Sequence, residues 1–204
     1  ESCISIEELP QKKSICTSRS FADEGITDKN VIEEAVANFA VRCTEKLRRQ
    51  GSVCQGITVF AWTSRFNESV PEYTIHDSLT LPIATNAQDE ILGAALTILR
   101  ARYPKPMADS RPDRPGMSFN FKKAGVILWQ ISPDSPRQQD LFDPIDRSKQ
   151  KALMEAIDAI NRKNGYGTIR QAVQGNGCRF DLKREYMSKR FTTDINEILK
   201  VTSK

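Results

Sequence analysis

Apolar and polar positions recur along the first part of the chain with two different periods. In residues 13–21 Ile15 and Cys16 lie among hydroxyl residues, which predicts a first strand. Apolar residues then recur every three or four positions across 32–47, the spacing of one helix face. Thr27 or Asp28 can cap this helix and Gly51 can end it, so a strand followed by a helix opens the fold.

The same strand and helix signals return in the next eighty residues. The runs 53–63 and 73–81 are rich in β-branched and aromatic residues and predict a hairpin. A second helix should begin at a cap on Asn86 and stop before Pro104. The run 122–131 predicts a last strand. The order strand, helix, strand, strand, helix, strand predicts an α+β fold, a four-stranded antiparallel sheet with both helices on one face.

Alternation within the last predicted strand leaves a large aromatic side chain on the face away from the helices. A tryptophan is costly to expose there, and two alternatives remain open. In the first, residues after this strand, either 132–144 or 145–204, fold back over Trp129. In the second, the strand switches faces at a bulge and places Trp129 in the core. The predicted helix-side residues are Ala124, Val126 and Leu128, and those of the other face are Lys123, Gly125, Ile127 and Trp129.

Proline-rich stretches divide the chain into a domain and an extension. Residues 104–118 hold four prolines and almost no apolar side chain, which predicts a mobile loop inside the domain. Residues 133–144 are again rich in proline and aspartate, which is typical of a linker. We therefore expect a linker at 1–12, a domain at 13–132 and an extension at 145–204.

The extension predicts a smaller α+β unit. Leu153, Ile157 and Ile160 form the apolar stripe of a helix that should end at Asn164 and Gly165. After it, 168–174 and 178–183 are joined by a Gly-Asn-Gly turn and predict a hairpin. Residues 193–201 predict a short capped helix.

Composition and charge exclude several function classes. The 204 residues carry a net charge of +4, and the surplus is concentrated in residues 151–204, with 11 Lys and Arg against 6 Asp and Glu. Such a surplus is more often a solvated surface than a nucleic-acid site. Five cysteines without a C-x-x-C pair favour reduced thiols, and the one histidine, His76, offers too few partners for a metal or nucleophile site. No apolar run is long enough to span a membrane.

Two motifs carry candidate chemistry. Gln138-Gln-Asp-Leu-Phe142 lies in the proline-bounded linker, where an extended peptide can reach a groove on a partner; the Leu-Phe pair could instead fold back on its own domain. Hydroxyl and basic residues on strands and turns form the second signal, because such groups donate to phosphate oxygens. These are Ser18, Arg19, Ser20, Thr63, Ser64, Arg65, Lys122 and Lys123.

Together these segments resemble the C-terminal half of UmuC-type subunits of DNA polymerase V, which are Y-family translesion polymerases. The resemblance covers nearly the whole chain. The segments that carry it are Ile15-Cys-Thr-Ser-Arg-Ser-Phe21, Glu45-Lys-Leu-Arg48, Thr63-Ser-Arg-Phe66, Lys122-Lys-Ala-Gly-Val126, Gln138 to Asp143 and Met187-Ser-Lys-Arg-Phe-Thr-Thr193. The stretch 104–118 departs from the family by being longer than the usual connection.

The resemblance implies that the first domain is a little finger, which lays its sheet on DNA and grips the phosphates of a primer-template. It implies that Gln138, Leu141 and Phe142 bind the replicative sliding clamp, and that the extension contacts a UmuD′-type subunit or RecA. The family acts in SOS DNA damage tolerance in the bacterial cytoplasm, at the nucleoid. The polymerase core with its magnesium-binding carboxylates would precede Glu1, so no catalytic residue, metal or cofactor is expected here.

Two function hypotheses follow from different classes. In the first, this region grips DNA phosphates without reading bases and tethers a polymerase to the clamp. In the second, it is chiefly a protein-interaction module whose basic extension binds an acidic partner, and DNA contact is incidental.

Overall fold

A four-stranded antiparallel sheet forms the centre of the molecule, with strand order β1-β4-β2-β3. The computed structural model describes residues 12–21, 25–64, 72–104, 119–135, 143, 145–175 and 187–199. Within them the elements are β1 (Ile15–Ser20), α1 (Lys29–Arg49), β2 (Ser52–Thr63), β3 (Thr74–Thr85), α2 (Gln88–Arg102), β4 (Phe121–Pro133) and α3 (Arg147–Asn164). The predicted α+β fold is confirmed.

Both α1 and α2 pack on one face of this sheet and enclose the hydrophobic core between them. Ala124, Val126 and Leu128 of β4 lie on that face and are fully buried, as their alternation predicts. Phe39 and Leu47 of α1 are buried against the same face. The opposite face of the sheet, which these helices do not cover, is therefore the face on which a partner could bind.

The two helices begin in different ways. Asp28 caps α1, since its carboxylate accepts a hydrogen bond from the Asn30 amide at 2.8 Å. The predicted cap of α2 at Asn86 is wrong. The N-cap residue is Ala87, and the Asn86 side chain instead donates to the Ser52 carbonyl at 3.2 Å, while Thr85 Oγ1 accepts from the Ala87 amide. Asn86 thus ties the start of α2 to β2.

A bulge changes the face alternation at the start of β4. Trp62 pairs with Lys123 but Thr63 pairs with Phe121, so Lys122 is the extra residue. The bulge returns Phe121 to the core side, where it is fully buried and its backbone pairs with Ile26. Without it, strict alternation would place Phe121 on the opposite face.

The extension docks on the helical side of the sheet domain, largely through charged groups. Arg48 of α1 donates twice to the Asp158 carboxylate of α3, at 2.6 and 2.7 Å. Nearer the start of α3, Arg147 bonds Glu90 of α2 at 2.7 Å. Met154 is the one α3 side chain that is buried. The contact is thus polar, with a single apolar anchor.

The residues after α3 differ from the predicted hairpin. No strand forms at 168–174; Ala172–Gln174 is instead a 3-10 turn with a reciprocal side-chain cap between Gln171 and Gln174. Gln174 is buried and exchanges hydrogen bonds with Asn38 of α1, and this tertiary contact overrides the local strand signal. The second predicted strand, 178–183, lies outside the described residues.

The end of the chain is less helical than its pattern suggests. Within the predicted helix 193–201 the structure has a 3-10 turn at Ile195–Glu197, capped by the Asp194 carboxylate. The described part of the extension is therefore a helical region. The predicted terminal linker and loop fall almost entirely outside the described residues, as do most of 133–144.

Candidate nucleic-acid interface

The face of the sheet opposite α1 and α2, here called the open face, consists of four rows of side chains that cross the strands. Directly paired residues share a face, so the register defines each row. The rows are Ser20, Lys123, Trp62 and Thr74; Ser18, Gly125, Phe60 and His76; Cys16, Ile127, Thr58 and Ser78; and Trp129, Gly56 and Thr80. None of these residues is acidic.

Two aromatic rings at the centre of the open face each lie over a glycine of the neighbouring strand. A Cβ atom on Gly125 would come within 2.4 Å of the Phe60 ring, and one on Gly56 within 2.3 Å of the Trp129 ring. Because glycine has no side chain, each of these positions leaves room for the aromatic ring of the neighbouring strand. The two rings therefore lie flat against the sheet, and this part of the open face is a nearly flat surface.

The position of Trp129 corrects the alternative that placed it in the core, while most of the linker and part of the extension, which could cover it, lie outside the described residues. It stays on the open face, partly buried, and its indole nitrogen donates to Thr58 Oγ1 at 3.0 Å. Within the described residues its cover comes from β2, because the ring lies over Gly56. Neither the core nor the docked part of the extension provides that cover.

Trp62 and Lys123 form the most prominent pair of the open face. The Trp62 ring stacks on Phe60 with centroids 5.1 Å apart and planes 19° apart. Lys123 places its ammonium 5.2 Å from the centroid of the Trp62 ring. Trp62 is 37% exposed, an unusual fraction for so large a side chain in a central strand.

The predicted phosphate contacts divide between the two faces of β1. Ser18 and Ser20 share the open face with Lys123, so the structure brings these three predicted residues together. Arg19 pairs with Ala124, and this register places it at the helix side of the edge strand. The contiguous sequence Ser18-Arg19-Ser20 therefore does not form one continuous patch.

Three of the remaining predicted contacts lie at the end of the sheet where β4 begins. Thr63 is 1% exposed, and its hydroxyl accepts a hydrogen bond from the Tyr73 amide at 2.9 Å. Lys122 is the bulged residue and Ser64 follows β2; both are partly buried. Arg65 lies outside the described residues, as do Gln138, Leu141 and Phe142 of the linker motif.

Sequence reasoning missed the contribution of β3. His76, Ser78 and Thr80 are exposed on the open face, and the period-2 pattern of this strand could have identified them. The one acidic residue of the strand, Asp77, lies on the other face, where Arg102 bonds its carboxylate at 2.6 Å. That hydrogen bond lowers the pKa of Asp77.

The described residues contain neither a candidate metal site nor a membrane-spanning helix. No three His, Cys, Asp or Glu side chains there lie close enough together to hold a metal ion. None of the described helices is long and apolar enough to cross a bilayer.

The sequence is similar to those of known proteins. Residues 12–141 match the model of the impB/mucB/samB family C-terminal domain, and residues 151–201 match a domain of unknown function (DUF4113). The chain is 36% identical over 200 residues to Protein ImpB of Salmonella typhimurium, covering 97% of this chain and 44% of the relative. With Protein UmuC of the same species, strain LT2, it shares 34% over 203 residues, covering 98% and 45%.

Protein MucB of Escherichia coli is 35% identical over 202 residues, covering 97% of this chain and 44% of that protein. The chain thus spans less than half the length of these relatives. The first family model nevertheless covers well over half of the chain, and the second matches most of the extension. As its resemblance to UmuC-type proteins predicts, the chain belongs to the impB/mucB/samB family and contains that family's C-terminal domain.

Proposed function

We propose that the open face binds the phosphate backbone of DNA without reading its sequence, as the accessory DNA-binding region of a translesion polymerase in SOS damage tolerance. The observation that carries this proposal is the composition of the open face. Its edges and centre present hydroxyls, an imidazole and the Lys123 ammonium, and no carboxylate. Such a surface is complementary to a polyanion and offers the donors that phosphate oxygens accept.

A grip on phosphates suits a polymerase that copies damaged templates, because a lesion alters bases and leaves the backbone intact. Ser18, Ser20 and Lys123 form the central part of this grip. Arg19, Ser64 and Lys122 extend it beyond the open face, and we add Arg65 on the sequence pattern alone. We leave Thr63 out, since its hydroxyl is buried and bonded to the backbone of Tyr73. We assign these residues to binding, and DNA synthesis to other parts of the protein.

The salt dependence of binding to a labelled duplex tests the proposal. Each lost cationic contact should reduce the slope of log affinity against log salt by about 0.9. Lys123→Gln should therefore weaken binding and flatten the slope. Lys149→Gln is the matched control, because Lys149 is exposed on α3 and its loss changes the net charge equally. Unchanged affinity and slope in a variant with Gln at Arg19, Arg65, Lys122 and Lys123 would overturn the assignment.

The second candidate function is a protein-docking role for the extension. The observation in its favour is a group of apolar side chains left exposed there, including Leu153 of α3, Ile195 at 81% and Leu199 at 69%. Exposed apolar side chains of this size are candidate contacts for a protein partner. A UmuD′-type subunit or RecA is the partner that the family suggests.

Deletion of residues 144–204 separates the two functions. The main core cluster lies within residues 15–128, so the sheet domain should keep its packing. DNA binding that survives the deletion supports the open face as the DNA site. DNA binding that disappears while the fold remains supports the extension as the principal binding region.

A further inference from the structure

Trp62 has an exposure and an orientation that phosphate binding alone does not explain. Its ring is 37% exposed in a central strand, although a hydroxyl or a cation at this position would serve a phosphate better. The ring is also held in place, since it stacks on Phe60 and Phe60 itself lies over Gly125. Little conformational freedom would therefore be lost when a flat ligand contacts it.

The row that contains Trp62 spans the whole width of the sheet. Ser20 of β1, Lys123 of β4, Trp62 of β2 and Thr74 of β3 are cross-strand neighbours. An indole is thus flanked by an ammonium and, at each edge of the sheet, by a hydroxyl. A nucleotide has the same succession of chemical parts, a flat base joined through a sugar to an anionic phosphate.

We propose that Trp62 stacks against an unpaired base of single-stranded DNA while Lys123 holds a phosphate of the same strand. Bases in a duplex are stacked and paired, so their π-faces are out of reach of a side chain on a sheet surface. A single strand exposes them, and every base has such a face, so contact of this kind tolerates any sequence. This proposal rests on the proposed function, because both use the open face.

The absence of acidic residues from the four rows favours a polyanion over a protein partner for this surface. Lys123 is the one residue of the rows with a full positive charge, and its Nζ lies over the indole ring, 5.2 Å from the centroid. A base that stacks on this ring therefore takes the place of the ammonium, which moves to the phosphate. A strand that crosses the row would place its base and its phosphate on adjacent side chains. The region would then hold the unpaired part of a template as well as its duplex part.

The test compares three DNA probes on the full 204-residue chain. They are an oligothymidylate of about 16 nucleotides, an abasic strand of equal length, and a matched duplex. The wild type should bind the oligothymidylate roughly 5-fold to 100-fold more tightly than the abasic strand, since stacking on an aromatic side chain has that strength. Trp62→Leu should abolish this preference, and Trp62→Phe should keep most of it.

Fluorescence supplies a second readout. The chain has two tryptophans, so a Trp129→Phe variant reports from Trp62 alone. The oligothymidylate should quench this emission and the abasic strand should leave it nearly unchanged. Thermal melting followed by circular dichroism measures the stability of each variant. We expect a small loss of stability in the Trp62 variants, because Trp62 is partly exposed.

The possible results separate base stacking on Trp62 from DNA binding by the open face. Equal losses for all three probes in Trp62→Leu would mean that the indole contacts the backbone, which overturns stacking but leaves the DNA-binding proposal intact. Wild-type affinities that do not distinguish thymidylate from abasic DNA would also overturn stacking, while Lys123→Gln still tests the phosphate grip. Failure of the wild type to bind any probe would overturn both.

Discussion

At the scale of single residues, glycines decide where the aromatic rings of the open face lie. At positions 125 and 56, glycine is the only residue type that leaves room for a ring lying against the neighbouring strand. The same residue has a different meaning in α2, where a Cβ on Gly93 would meet nothing within 4 Å. Identical substitutions at these positions should therefore change stability in opposite directions.

We expect Gly125→Ala to destabilise the fold by about 1–3 kcal/mol, because the new methyl group would press on the Phe60 ring and on Ser18 Cβ. Gly93→Ala should stabilise it by about 0.5–1 kcal/mol, the usual gain when alanine replaces glycine in an exposed helix interior. Urea unfolding of the two variants beside the wild type measures both changes. A neutral Gly125→Ala would mean that the strands can separate to accept the methyl group.

The buried thiols give the second prediction at this scale. Burial raises the pKa of Cys43 to about 11 and that of Cys54 to about 12, from an ordinary value of 9.0. The unfolded chain releases these protons at lower pH than the folded chain. The contribution of the two thiols to the unfolding free energy is therefore fully present below pH 9 and is lost as the pH rises through 11 to 12. The unfolding free energy, measured by urea denaturation from pH 8 to 10.5, should fall less steeply when both cysteines are replaced by Ala.

Thiol labelling provides the corresponding control. In a chain with Cys3 and Cys178 replaced by Ser, Cys16 should react with a thiol reagent at pH 8, because it is exposed on the edge strand. Cys43 and Cys54 should react only on unfolding. Rapid labelling of all three thiols in the native protein would contradict the assigned burial.

At the scale of elements, α3 is held to the sheet domain by ion pairs. Arg48 and Asp158 form the best-buried of these pairs, with side chains 9% and 27% exposed. Lys151 adds a contact to Asp134 at 3.2 Å. Interfaces this polar are typical of parts that can separate.

Asp158→Asn should loosen α3 without unfolding the sheet. It removes the charge that pairs with Arg48, at a cost of roughly 2 kcal/mol, the scale of hydrogen bonds to charged groups. Amide hydrogen exchange in 147–164 should then quicken by more than tenfold, while exchange in β2 and β4 stays as in the wild type. Glu155→Gln, a change of the same kind at an exposed position three residues before Asp158, is the matched control. Equal acceleration across the sheet would show that α3 is part of one cooperative unit.

The elements also show how far the sequence alone can lead. Periods of two and of three to four residues locate all four strands and the three long helices. In the strands and in α1 and α2 the period marks a buried face, whereas in α3 the predicted stripe stays largely exposed and Met154 alone is buried. The bulge at Lys122 and the ring of Trp129 over Gly56 depend on which residues meet across strands. The turn at 172–174 depends on Asn38, far away in the chain. Local patterns carry no information about such contacts.

The candidate site divides in the same way. Ser18, Ser20 and Lys123 could be selected by residue type and converge in the structure. Thr63 looked equivalent in the sequence, but its burial at the strand end could not be predicted without the pairing to β4. Trp62 was visible as an aromatic in a strand; that it stacks on Phe60 and remains exposed depends on the fold.

At the scale of the whole molecule, two weak contacts should act together. We propose that Leu141 and Phe142 insert into an apolar groove on the sliding clamp while Gln138 fixes the register of the peptide. The Leu141→Ala, Phe142→Ala double variant should lose about 2–4 kcal/mol of clamp affinity, as hydrophobic anchors in peptide docking commonly contribute. Pull-down of a purified clamp by the wild type and the double variant measures this, and equal recovery would exclude the motif.

Simultaneous DNA contact should strengthen that binding, because a chain held on DNA meets a clamp on the same DNA at a raised local concentration. The gain from adding DNA should disappear in both the double variant and Lys123→Gln. If the gain persists in either one, the two contacts do not cooperate.

The strand order has a consequence for how the protein is made. β4 is the last of the described strands along the chain but lies between β1 and β2, so Ile15 can pair with Leu128 only after β4 has been made. As the chain leaves the ribosome, β1 and one side of β2 remain unpaired until β4 has emerged. Pairings that close so long a loop form slowly, and the incomplete sheet is open to pairing with other chains. The sheet of this domain can therefore close only after β4 has been synthesised, and interruption before β4 would leave an aggregation-prone product.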